Sequence, residues 1–373
     1  MAPEITLICL LAKRNPTPDD IEAVHALLDG GAPIDWAYFL DQSHRHRVMA
    51  LIAANADRFG LYTVEKPIPG RDLYRAHLLY QRERNEALLR ELRAVLTAFH
   101  EVGLKVVPRK GAYLSWAVYR EPEVRPMGDL DLMVRHDQIG EAEAVLDSLG
   151  YATGTLSPSL RVLDPLDRQT LAFWRIYTNN APTRFRLTSV EQVQAYSVDL
   201  VHNLFLPRSG YSMPVDPLID RAQLVDFRGA PFWALPPELH LVDIAAHLFK
   251  ESTTISYINA GRHQSLSQFR DLAELIEQHP TLDWTAVVDA ASGAGIEAPI
   301  YFALAHLNVI YVGTVPQEPL GRLHAAVERS SPNVLDEYGA VDLGQPARWR
   351  VGFLERMFER SRVRVDEESR SLV

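Results

Sequence analysis

The run LKVVPRKGAYLSWAVYREPEVRPMGDLDLMVRHDQIGEAEAVLDSLGY, residues 104–151, decides the fold. LKVVP is a short β-branched stretch of the kind that forms a strand. Lys110-Gly111 then opens a helical segment, GAYLSWAVYRE, which Pro122 terminates. GDLDLMVR, Gly128 to Arg135, alternates with period two and predicts a second strand. Asp137 is placed to cap a helix QIGEAEAVLDSL, which Gly150 closes. Strand, helix, strand, helix within about fifty residues is an α/β signature.

The second strand carries Asp129-Leu130-Asp131. On a strand, residues i and i+2 point to the same face, so the two carboxylates project together while Leu130 and Leu132 enter the core. Two like charges about 4 Å apart repel by roughly 4 kcal/mol at an effective dielectric near 20. A divalent metal, a cationic side chain or a shared proton would offset that. Oxygen-only ligands favour magnesium or manganese over zinc. An isolated D-x-D is more often a solvated strand end, but its neighbours here are informative. Lys110-Gly111 stands at a strand-to-helix junction, where free N–H groups and the helix dipole favour a phosphate. Arg125 lies four residues before Asp129, and Asp199 sits mid-strand between Val198 and Leu200, where a carboxylate needs a partner.

Reading outward, residues 1–102 pattern as helices: Pro18 to Leu28, Asp35 to Ala56, and a long helix from Arg71 to Val102. The long helix keeps Tyr74, Leu78, Leu88, Leu92, Val95, Phe99 and Val102 mostly on one stripe, with Gly103 as its stop. Residues 103–235 make the α/β core, including FWRIYTNN and TRFRL as strand or loop pieces, AYSVDLVHNLF as a strand, and a hairpin turning at Arg228-Gly229. Residues 236–335 pattern as a C-terminal helical domain, and 336–373 as a helix and a frayed tail, RVDEESRSLV.

The set Lys110-Gly111, Arg125-Pro126, Asp129/Asp131 and Leu149-Gly150-Tyr151, after the hydrophobic strand Leu104 to Val107, resembles the uncharacterised nucleotidyltransferase family of the polymerase-β-like superfamily. DWAYFLDQSHRHRVMALI looks like that family's N-terminal helical region, and PPELHLVDIAAHLFKE and QFRDLAEL like its C-terminal helices, so the likeness spans most of residues 30–290. It implies a polymerase-β-like core with a mixed sheet, α+β in class, flanked by N- and C-terminal helical regions. It implies that Asp129, Asp131 and Asp199 hold Mg2+ (or Mn2+) for an NTP such as ATP. Lys110, Gly111, Arg125 and Gly128 would then line the nucleotide, Lys110-Gly111 at its β- and γ-phosphates and Arg125 neutralising phosphate charge. The expected reaction moves a nucleoside monophosphate to an acceptor hydroxyl and releases pyrophosphate. The expected acceptor is a small molecule, with an RNA end or a protein side chain as the other options. Two departures stand out: Arg109 occupies a position usually apolar in the family, and the third-carboxylate strand reads Asp199-Leu200-Val201-His202 rather than Asp-x-His, which turns His202 to the opposite face.

Two other classes compete. A nucleotide-sugar glycosyltransferase would use the D-x-D without needing Lys110-Gly111 or Asp199. A non-catalytic nucleotide-binding module would bind NTP without turnover. The formal charge of −10 argues against non-specific wrapping of duplex nucleic acid. Cys9, the only cysteine, excludes an intramolecular disulfide and any site of several cysteine ligands. No G-x-x-x-x-G-K-[ST], G-x-G-x-x-G or G-x-S-x-G occurs. The N-terminal apolar run reads as the start of a helix rather than a signal peptide, and Ala298 to Gln317 as a buried helix rather than a membrane span. A cytoplasmic protein is expected. His44/His46 read as polar surface, and His240/His247 as packing or capping, the resemblance giving His247 and Asp271 added weight near the site. Arg184 and Arg186 with Trp174, Tyr177 and Phe185 read as a solvated loop, with a basic-aromatic surface as the sharper option. Arg82, Arg84, Arg90 and Arg93 read as a face compensated by Glu83, Glu86 and Glu91 on the same helix.

Overall fold

The computed structural model describes residues 2–30, 32–157, 161–360 and 365. The expected frayed tail, RVDEESRSLV, lies outside the described residues except for Val365. Four short helices open the chain: α1 (Pro3–Leu11), α2 (Pro18–Asp29), α3 (Trp36–Arg45) and α4 (Met49–Arg58). The helix α5 (Arg71–Glu101) follows, closed by Gly103 at φ 79°. Its stripe packs inward from Tyr74 to Phe99, while Val102 lies past the last turn and is exposed. Two ion pairs from its charged face reach other elements rather than residues of the same helix, Arg82 with Glu123 and Glu86 with Arg228.

The core elements follow in order: β1 (Val107–Pro108), α6 (Gly111–Ala117), β2 (Leu130–Met133), α7 (Ile139–Ser148), β3 (Ala152–Thr153), the small hairpin β4 (Thr155–Ser157) and β5 (Val162–Asp164), α8 (Arg168–Tyr177), β6 (Arg184–Leu187) and β7 (Ala195–Val201). Five of these strands form one mixed sheet in the order β1-β2-β7-β6-β3. β2 and β7 run parallel and the other neighbours antiparallel. The fold is thus the mixed α+β class expected. Every residue of β2 is buried, because the sheet is covered on both faces.

Helix α9 (Asp216–Arg221) and the hairpin β8 (Gln223–Phe227) and β9 (Ala230–Ala234) then lead to α10 (Pro237–Thr253), α11 (Ile255–Asn259), α12 (Leu266–Gln278), α13 (Trp284–Ala294), α14 (Glu297–Ile310) and α15 (Gln317–Ser330). The hairpin turns at Arg228-Gly229, both at positive φ, as the dipeptide predicts. The apolar stretch at Ala298 is the buried α14, and among the described residues no helix is long and apolar enough to cross a membrane. One apolar core runs continuously from Leu7 to Phe358.

Three local expectations are corrected. FWRIY is helical, inside α8, whose N-terminus Asp167 caps through the Thr170 N–H. Asp137 lies within a single 3-10 turn and caps nothing; α7 begins after Gln138. The helix expected over Asp35 to Ala56 is broken at His46–Val48, where Arg47 takes φ 56°. The break has a purpose in the packing. It frees His46 to cap α12: its Nδ1 accepts the Leu266 N–H at 3.1 Å and its carbonyl the Ser267 N–H at 3.1 Å. His46 is therefore buried rather than surface, and burial pushes its imidazole down to about 3, leaving it neutral.

Arg109, the departure from the family pattern, is explained here. Its side chain is fully buried and forks onto Asp243 of α10, with Nε–H donating to Oδ2 at 3.1 Å and Nη2–H to Oδ1. The pair ties the end of β1 to α10 beneath the cleft. Removing either partner strands a buried charge. Arg109→Met or Asp243→Asn is expected to lower stability by about 3–5 kcal/mol in denaturant unfolding, while Arg109→Met/Asp243→Leu recovers most of the loss. A double variant no more stable than the single ones would show that the pair is not the main tie.

Candidate active site

The site is built where β2 and β7 lie parallel. Their register sets Asp131 directly beside Asp199, and Leu130 and Leu132 beside Val198 and Leu200. The four apolar residues are buried and anchor the strands; fully burying each contributes about 1.5–3 kcal/mol. The neighbouring carboxylates are held in place by that packing. Asp129, just before β2, completes a cluster in which one carboxylate oxygen from each of Asp129, Asp131 and Asp199 lies within 4.8 Å of the others.

These three charges do not sit at ease. Asp131 first, then burial, pushes the Asp129 carboxyl up to about 7. Burial, followed by Asp131, raises Asp199 against the hydrogen bond donated by the Thr183 hydroxyl at 2.5 Å. Burial also works against Asp131, but Lys110 and then Arg109 hold it below its ordinary value. Lys110 Nζ stands 2.8 Å from Asp131 Oδ2. The cationic side chain anticipated as one remedy for the D-x-D is therefore present, yet one ammonium does not neutralise three carboxylates. The donor set is hard oxygen throughout, and it fits a divalent cation of the magnesium or manganese type.

Lys110 reaches Asp131 from a strained backbone, with φ 46° and ψ −127° at the junction of β1 and α6. Gly111 follows, and there the absence of a side chain matters: a Cβ would lie 2.5 Å from Arg125 Nη1. Arg125 is forked onto Asp271 of α12, at 2.6 and 3.2 Å, and its Nη1 also donates to the Pro126 carbonyl. Its charge is thus partly matched within the protein. Gly128 lines the cleft with no crowding at its missing Cβ.

A cleft of about 300 Å3 spreads from Asp129 and Asp131 toward α10 and α12. Lys110, Gly111, Arg125, Gly128, Asp129 and Asp131 all line it; Asp199 belongs to the carboxylate cluster beside Asp131 but is not among the residues lining the cleft. His202 packs edge-on against His136, outside the cluster. His240 is buried and stacked on Tyr113 at 3.6 Å, the packing role expected. His247 lines the cleft 3.4 Å from Glu251, and burial pushes it down to about 4, so it is neutral there at pH 7. Arg184 is paired with Asp147 and Glu143, and Arg186 with Glu91, so both are bound into the fold by ion pairs on β6, a strand rather than the loop expected.

Sequence reasoning missed Arg47 and Arg262, two cleft arginines whose guanidinium groups make no hydrogen bond or ion pair among the described residues. Arg47 reaches the cleft only because the helix breaks at that residue, and no periodicity announces such a break. Thr183, which fixes Asp199, was equally silent.

A mixed sheet with acidic residues from two parallel strands, a Lys-Gly turn and a basic opposite wall defines a nucleotidyl-transfer class of site. The chain belongs to the uncharacterised nucleotidyltransferase family, whose model matches residues 32–311. No curated protein and no solved structure matches it.

The pH dependence of stability follows from Asp129. Its proton is held in the folded protein up to about pH 7 but lost near 3.8 when unfolded, so folding binds a proton between those values and metal-free stability falls as pH rises through them. Asp129→Asn removes that loss. Without divalent ions at pH 8 the variant is expected to be more stable than wild type by on the order of 2–4 kcal/mol, and near equal at pH 4. Superimposable urea curves at both pH values would show that the three carboxylates do not oppose one another.

Proposed function

We propose that this protein is a magnesium- or manganese-dependent nucleotidyltransferase that moves a nucleoside monophosphate from an NTP to a hydroxyl of an acceptor, releasing pyrophosphate. The observation that carries the reading is the carboxylate cluster facing a cationic wall: Asp129, Asp131 and Asp199 on one side, Lys110, Arg125, Arg47 and Arg262 around them. A glycosyltransferase using the D-x-D alone would have no use for Asp199 in register beside Asp131 or for Lys110 on its carboxylate.

Asp129, Asp131 and Asp199 would hold the cation, which when bound orients the phosphate oxygens and stabilises charge on the leaving pyrophosphate. The remaining work belongs to the chain. Lys110 and the free N–H groups at the start of α6 bind the β- and γ-phosphates. Arg47 and Arg262, not engaged by protein carboxylates, take the rest of the triphosphate charge. Asp199, raised by burial and steadied by Thr183, accepts the proton of the attacking hydroxyl as its oxygen bonds to the α-phosphorus and the bond to the β-phosphate oxygen breaks.

Pyrophosphate release with each NTP, Mg2+ and pools of small-molecule, RNA and protein acceptors tests the reading. Asp129→Asn and Asp131→Asn are expected to abolish release while remaining folded, and Arg47→Met to raise KM for the NTP by about tenfold. Tight Mg·NTP binding with no release in any pool would favour the non-catalytic module; no binding at all would sink the nucleotide site. Gly111→Ala supplies a sharper check. Its Cβ would push against the Arg125 guanidinium, which is forked onto Asp271, so a loss of stability of about 1–2 kcal/mol is expected together with markedly weaker NTP binding. Unchanged binding in that variant would remove the Gly111–Arg125 contact from the nucleotide site.

A further inference from the structure

Helix α10 presents two flanks to solvent-filled space. One, with His247 and Glu251, walls the nucleotide cleft. The neighbouring flank, with Phe249, Lys250 and Thr253, walls a separate cavity of about 370 Å3. The far side of this cavity is the chain that follows β7, the strand bearing Asp199, so it lies beyond the carboxyl end of that strand, where α/β sheets hold their ligands. Its size suits a small molecule.

The lining is apolar and ring-rich. Phe205 and Tyr211 have centroids 5.6 Å apart, and Tyr211 meets Phe249 edge-on at 5.6 Å, so three rings make a connected wall; Tyr338 lies opposite. Two charged groups are set into this wall, Glu337, which is paired with Arg348 at 3.5 Å, and Lys250. Lys250 is only 7% exposed, and its ammonium makes no hydrogen bond or ion pair among the described residues. Its neighbour Glu251 is engaged with His247 on the other flank. A buried lysine without a partner is costly. Burial, then Lys110 and Arg109, lowers it to about 8, which leaves it mostly protonated at pH 7. Lys250 also stands within electrostatic reach of Asp199 and Asp131, so a molecule paired with it is brought to the carboxylate cluster.

We propose that this cavity is the acceptor site, and that the acceptor is a small hydroxy acid with an apolar, ring-bearing body whose acidic group pairs with Lys250. The proposal rests on the nucleotidyltransferase reading for the word acceptor, but not for the ligand chemistry. The rings supply stacking surface, Lys250 fixes the acid end, and the hydroxyl is left to face Asp199. The transfer then balances as above: acceptor oxygen to α-phosphorus, pyrophosphate out, hydroxyl proton to a carboxylate.

The test uses the full chain and 8-anilinonaphthalene-1-sulfonate, an aromatic anion, as the binding probe. Saturable fluorescence enhancement is expected, not displaced by Mg·ATP. Lys250→Met is expected to weaken it by about tenfold or more, and Val341→Trp, which fills the cavity from the side away from α10, to abolish it with an unchanged melting temperature. Equal probe affinity in wild type and Lys250→Met, or no saturable binding, overturns the site. Aromatic hydroxy acids are then compared with their amides as acceptors in pyrophosphate release. The acids are expected to support turnover, with Lys250→Met raising their KM while leaving the KM for NTP unchanged. Turnover with the amides as readily as with the acids overturns the charge recognition. Probe binding that depends on Lys250, with NTP bound but no acid consumed, overturns the acceptor assignment. Failure of NTP binding itself, with the probe still bound through Lys250, falls on the nucleotidyltransferase reading and not on the cavity.

Discussion

The parallel register of β2 and β7 puts Asp131 beside Asp199 at the covered centre of a sheet, with Asp129 one step away. Apolar neighbours fix this arrangement, since Leu130, Leu132, Val198 and Leu200 lose their burial if either strand slips by a residue. Three carboxylates are thereby forced together by hydrophobic packing. Proton uptake by Asp129 and the ammonium of Lys110 are the protein's own partial answers. A site that concentrates negative charge through its core packing favours positive charge, the constraint on which the proposed use of a divalent cation rests.

The surrounding structure can be understood as what keeps such a site in shape. Arg109–Asp243 binds the strand-to-helix turn to α10, and Arg125–Asp271 binds the segment before the D-x-D to α12. His46 caps α12 from the N-terminal helices. Each tie joins the sheet region or its cleft to a helical region far away in sequence, in keeping with an apolar core that is continuous across them. The break that frees His46 also turns Arg47 toward the cleft, so one local irregularity serves both the packing and the cationic wall.

The legible parts of the sequence were those whose signals are local. The D-x-D strand, the Lys-Gly helix start and the Arg228-Gly229 hairpin each declare themselves in fewer than ten residues, through period-two alternation or turn chemistry. Asp199 was legible as a mid-strand acid needing a partner, and the family resemblance set it with Asp129 and Asp131; its place directly beside Asp131 was not legible, because parallel register is fixed by tertiary packing across more than sixty residues. Thr183, Arg47 and Arg262 had no local signal: a threonine in a weakly patterned stretch and lone arginines among polar residues look like surface. FWRIY failed differently, since aromatic and β-branched composition suggests a strand, while the segment lies in a helix that Asp167 caps. Arg109 was read as an anomaly and proved to be a tie, because a buried arginine is intelligible only once its carboxylate is seen.

Placing α10 between two cavities has a consequence for how one helix can serve two ligands. Residues on its cleft flank, His247 and Glu251, engage each other, and Asp243 is engaged by Arg109 from the end of β1. Lys250 makes no ion pair among the described residues and lines the aromatic cavity while standing within electrostatic reach of Lys110 and Asp131. If every cation of the region served the nucleotide, this lysine would be expected beside Arg47 and Arg262. The two cavities differ in their charge: Arg47, Arg125, Arg262 and Lys110 line the cleft, while Lys250 and Glu337 are set among the rings of the other cavity. On the proposed reading, cavities of such different polarity would take ligands of different chemistry, one hydrophilic and highly charged, the other ring-bearing with one acidic group. The carboxylates lie within electrostatic reach of both, which is the arrangement a two-substrate transfer requires.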